Sequence, residues 1–174
     1  MDQEIKNIKG WIIFFMTALA LSGITAMPAE TELGFLVNHF HFNGDTGKWL
    51  EKVYTGILDA NIRYPFLAYG YDWLAFAHIV LAVLFIGPLK DPVKNKWVIE
   101  FGMIACLLII PFAMIAGHFR DIPIGWRLID CSFCVIGIVP LRICLKKINY
   151  LETVKANKQN VISDFPEISE QTIS

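Results

Sequence analysis

Four apolar runs, each long enough to cross a bilayer, constrain this chain more than anything else in it. They cover residues 10–27, 66–87, 97–117 and 126–145. A membrane-spanning helix needs about 20 predominantly apolar residues at about 1.5 Å each. Hydrocarbon offers the backbone no hydrogen bonds, so each run must close its own as a helix. Of the 174 residues 55% are hydrophobic and 18% charged, more apolar surface than a soluble domain of this size buries. Mean hydropathy is +0.51, and the charges collect between the runs. The expected fold is all-α: a polytopic membrane protein, an antiparallel four-helix transmembrane bundle with one outer amphipathic helix.

The connections fill in the organisation. Residues 1–9 form a short head with Lys6 and Lys9. Ala26 and Ala29 loosely imitate a signal-peptide cleavage site, but Asp2, Glu4 and the length of the run favour a retained span. Residues 28–65 form an outer loop in which Asp45 or Thr46 is placed to cap a helix over 47–62. Trp49, Leu50, Val53, Tyr54, Ile57 and Leu58 share one face of that helix. Such a face lies on the bilayer or across the mouths of the spans. The 88–96 connection is a tight turn, Pro111 and Pro140 are expected kinks, and residues 150–174 are read as a flexible tail.

Ten of the fifteen lysines and arginines fall on the side of the head, the 88–96 turn and the tail. Positive charge favours the cytoplasm, so both termini are expected there, in a multi-pass cell (inner) membrane protein. A net charge of −1 gives no reason to expect nucleic acid. The expected partners are the lipid bilayer, with a membrane protein or a second copy of the chain.

The polar residues near the outer face carry what chemistry there is. Arg127, Asp130, Cys131 and Cys134 fall at i, i+3, i+4 and i+7, one stripe of the fourth helix. A carboxylate inside a span is costly and should face the bundle and find a partner. Arg127, one turn away, is the expected one. His78 lies mid-span with Ala75 and Ala82 on its face, and small neighbours allow another helix to approach. It reads as a neutral imidazole bonded to a hydroxyl or carbonyl across the interface. The sharper reading is a haem or metal ligand with His118. His39 and His41 form an H-x-H in the outer loop, where an extended backbone turns both rings to one face. With His118 they would make a metal site. Asp72, Arg120 and Asp121 are expected to pair at the interface, with Asp72 and Arg120 also candidates for binding.

Cys131 and Cys134 also make a C-x-x-C near the outer end of the last helix. In a four-helix membrane protein this resembles vitamin K epoxide reductase and, more distantly, DsbB. The resemblance covers these two cysteines and the topology, while the 28–65 loop carries no cysteine. It implies a thiol pair that passes electrons to a bound quinone.

Three functional readings follow. The first is a non-enzymatic membrane module binding a lipid, quinone or partner protein in an outer cleft between the kinked helices and the amphipathic helix. The second is a thiol oxidoreductase built on Cys131 and Cys134 with a quinone acceptor. The third is a haem or metal protein.

Overall fold

The computed structural model describes residues 2–40 and 44–164, and helix is the only regular secondary structure apart from turns among them. The chain runs through α1 (Asp2–Ala26), α2 (Ala29–His39), α3 (Asp45–Arg63), a 3-10 turn at Pro65–Leu67, α4 (Ala68–Leu84), α5 (Ile86–Lys90), α6 (Lys96–Phe119) and α7 (Ile124–Asp164). Four segments among the described residues are long and apolar enough to cross a membrane: Gln3–Ala26, Pro65–Lys90, Lys96–Phe119 and Ile124–Asn160. Large apolar side chains such as Phe112, Phe133 and Leu108 are more than half exposed on their outer faces. In water that would be untenable, whereas in lipid it costs nothing.

The spans are antiparallel neighbours, and their register can be read from close contacts. α1 meets α4 where Gly23 faces the Ala75 carbonyl, and just past the end of α4 Phe15 and Phe85 pack with tilted rings, centroids 4.9 Å apart. α1 meets α7 where Phe15 lies against Gly137 and where the Cys144 thiol sits 3.6 Å from the Ile8 carbonyl. α7 continues across Gly102 and Gly117 onto α6. The order across the bundle is thus α4, α1, α7, α6. α4 and α6 do not pack along their lengths. Near the end carrying the N-terminus of α1, Phe85, between α4 and α5, reaches Gly102 of α6.

That terminal end holds the core. α1 buries Ile8, Ile12 and Phe15, and α7 buries Leu141, Cys144, Ile148 and Leu151, stripes at helical spacing. Val98 and Ile99 complete the cluster from α6. Ion pairs Lys96–Glu152 (2.8 Å) and Lys147–Glu4 fasten the helices there. In the turn, Asn95 Nδ2 donates to the carbonyls of Gly87 and Asp91, adding side-chain bonds to the backbone ones those carbonyls already accept.

Several expectations need correction. The outer loop contains two helices: α2 precedes the anticipated amphipathic helix, and its Gly34 packs under the Tyr54 ring. Of the apolar face of α3, Leu50 is buried while Trp49, Val53, Tyr54, Ile57 and Leu58 remain half-buried. Neither Asp45 nor Thr46 caps α3. The helix starts after Gly44, at φ 73°, with Asp45 already in its first turn. Asn61 Nδ2 donates to Glu30 Oε2 (2.7 Å), and the Tyr71 hydroxyl donates to Asn61 Oδ1 (2.9 Å), tying the α2–α3 pair to α4. The second span continues past Pro88, which sits in the first turn of α5, where its missing N–H is harmless. α7 is one 41-residue helix, so the tail expected to be flexible from residue 150 is helical as far as Asp164.

α6 ends in a Schellman motif: Ile122 N–H donates to Gly117 O (2.9 Å) and Asp121 N–H to His118 O (3.3 Å). The motif places Asp121 at φ 53°, a left-handed conformation that glycine adopts more readily. Asp121→Gly should therefore raise stability by about 0.5–1 kcal/mol, read as a higher thermal unfolding midpoint in detergent micelles.

Candidate functional site

Toward the distal end, away from the core, the four spans enclose a cavity of about 560 Å³. This is within the usual range of small-molecule sites, about 300–1,000 Å³. α1 contributes Phe14, Ala18 and Leu21, α6 contributes Ile109, and α7 contributes Phe133 and Ile136. Phe133 and Ile136 are also well exposed on the flank of the bundle, 68% and 59%. The cavity therefore opens sideways, toward hydrocarbon.

Four polar groups interrupt this apolar lining: Ser22 and Thr25 on α1, His78 on α4 and Asp130 on α7. The register explains why they meet. The Gly23–Ala75 and Phe15–Phe85 contacts put His78 opposite residues 20–22 of α1. The Phe15–Gly137 and Ile8–Cys144 contacts put Asp130 opposite residue 22. Ser22, His78 and Asp130 thus share one depth on three helices. Gly23 makes the layer tight, since a Cβ there would stand 2.6 Å from the Ala75 carbonyl and 3.1 Å from His78 Cβ.

The hydrogen bonds set the character of the layer. His78 Nδ1 lies 2.9 Å from the Leu74 carbonyl. A carbonyl only accepts, so Nδ1 carries a proton, and in the tautomer with that single proton Nε2 is an acceptor. The partner is thus a carbonyl of its own helix, not one across the interface. The Thr25 hydroxyl donates to Leu21 O (2.9 Å). Asp130 has no hydrogen bond or ion pair among the described residues.

Arg127 does not supply the expected partner. Its side chain bends back over Gly117, with Nε donating to Ile122 O (2.7 Å) and Nη1 to Met114 O (3.5 Å). It clamps the distal junction of α6 and α7. The reason is local: the Ile122 carbonyl in the connection between α6 and α7 has no helical partner, and the guanidinium supplies its donor while reaching the Met114 carbonyl on α6 at 3.5 Å.

The remaining candidates scatter. Cys131 and Cys134 are buried free thiols one turn apart. Cys134 lines the cavity with Cys106 of α6, and Cys131 does not. Asp72 lies outside, in a shallow groove with Met27, Tyr69, Trp73 and Phe76. No ion pair joins Asp72, Arg120 and Asp121, so that expected pairing is absent among the described residues. His39 ends α2 in a helical, not extended, backbone, with Nδ1 3.1 Å from Phe35 O and its ring stacked on Phe35. His118 is exposed beside Phe119 and does not line the cavity with His78. His41 lies outside the described residues. Among those described, no three His, Cys, Asp or Glu are grouped to hold a metal.

Ser22, Gly23 and Thr25 were missed by reasoning from sequence. The available signal was a cluster of small and hydroxylated residues, LSGIT, inside an otherwise aliphatic and aromatic run. α1 supplies much of the wall of this cavity, and the α2–α3 pair supplies none of it. Comparisons of the chain with protein-family models, with curated proteins and with solved structures find no match.

Proposed function

We propose that this integral membrane protein binds a lipid-like amphiphile, drawn laterally from the bilayer into the distal cavity. The observation that carries this reading is a laterally open, largely apolar cavity with one polar layer built from three helices. A tail fits among Phe14, Ile109, Phe133 and Ile136, and a head group meets Ser22, His78 and Asp130. Lipids and isoprenoid quinones both have this division. Binding needs no catalytic step, and each polar group has a role as a hydrogen-bonding contact. The lysine and arginine bias supports an orientation with the terminal end in the cytoplasm and the cavity in the outer leaflet of a cell membrane.

The test is to fill the cavity. Ala18 lines it and is exposed there, so Ala18→Trp adds bulk without entering the core. The variant should fold and elute as the parent does, but lose at least tenfold in affinity for an environment-sensitive lipophilic probe. Unchanged probe affinity in a folded variant would remove the cavity as the binding site.

A further inference from the structure

The acceptors and charge of the polar layer narrow the head group further, and this step rests on the cavity being an amphiphile site. Among the described residues, Asp130 is the only carboxyl lining the cavity, and no lysine or arginine lines it. The nearest guanidinium along the helix, Arg127, is committed to the carbonyls of Ile122 and Met114. His78 has its N–H bonded to Leu74 O, which leaves Nε2 accepting. The Thr25 hydroxyl already donates to its own helix. The layer is thus rich in acceptors, poor in free donors and negative when Asp130 is ionised. A carboxylate within a span is costly without a cation or donors beside it.

We propose that the cavity selects amphiphiles whose head carries a protonated amine. An ammonium has three N–H donors and no acceptor. One donor pairs with the Asp130 carboxylate as a charge-assisted bond, and a second reaches His78 Nε2 at the same depth. The Ser22 hydroxyl, at that depth on α1, accepts the third. A carboxylate head would meet Asp130 with like charge, and an alcohol head would satisfy only one acceptor.

The experiment uses the full chain in non-ionic micelles and three probes of equal tail length: dodecylamine, 1-dodecanol and dodecanoic acid. Each displaces the same lipophilic fluorophore. The amine should bind at least tenfold more tightly than the alcohol, and the acid most weakly. In Asp130→Asn the amine-to-alcohol ratio should fall toward one. In Asp72→Asn, which changes an acid outside the cavity, the ratio should stay at its parental value. Equal affinity of the parent protein for amine and alcohol overturns the head-group inference while leaving the cavity as an amphiphile site. An amine preference that survives in Asp130→Asn overturns it as well. Displacement by none of the three probes defeats both the inference and the reading it rests on.

Discussion

Gly23→Leu should destabilise the bundle by about 2–3 kcal/mol, the upper part of the range for overpacking a tight contact. A Cβ at residue 23 would stand 2.6 Å from the Ala75 carbonyl and 3.2 Å from Ile79 Cγ1. The carbonyl is backbone in mid-helix and cannot rotate away, so α1 and α4 would have to separate. Association of helices in lipid rests on close packing, with no hydrophobic drive to restore the contact. Gly10→Leu is the matched control: it lies on the same helix with nothing within 4 Å of its added Cβ. The pair is compared by thermal unfolding in micelles, where Gly23→Leu lowers the midpoint and Gly10→Leu does not. Equal midpoints would show that α1 and α4 do not cross at Gly23.

Arg127→Met should cost about 1–3 kcal/mol, because it strips the charge-assisted donor from the Ile122 carbonyl at the distal junction and leaves that carbonyl unpaired. Methionine keeps most of the aliphatic stem over Gly117, so the loss isolates the guanidinium. Arg127→Lys should not restore stability, since an ammonium cannot reproduce the spread of Nε and Nη1 toward Ile122 and Met114. The measurement also separates this geometry from an Arg127–Asp130 pair. In a double-mutant cycle with Asp130→Asn the two changes should add, with coupling below about 0.5 kcal/mol. Strong coupling would return Arg127 to Asp130.

The span architecture was legible because it rests on length and composition alone. Residues 97–117 and 126–145 need no partner to be recognised as spans, and the helices found there contain them. The outer region was harder. AETELGFLVNH has helix-forming residues but a weak apolar stripe, and it is held as α2 by Tyr54 over Gly34, a contact no local pattern announces. Asp130 and His78 were recognisable as costly residues in spans. Their sharing a layer depended on how α4 and α7 each register on α1, which is tertiary information. Arg127 misled for a related reason: helical spacing put Asp130 within reach, but the connection after α6 offered the Ile122 carbonyl already in place. The tail misled through its polarity, since residues 152–160 lack an apolar run yet continue a helix nucleated within the membrane, which removes the cost of starting one.

The one-sided core has a consequence for permeation. Phe15, Phe85 and Leu141, with Gly102 beneath them, close the terminal end of the space that is open distally. A small molecule that reaches Asp130 from the side finds a floor, not a passage. To go further it would have to part a layer of interlocked rings and aliphatic side chains shared by all four spans. A molecule held in the distal space would therefore sit above a closed layer, with the barrier to ions and protons intact beneath it.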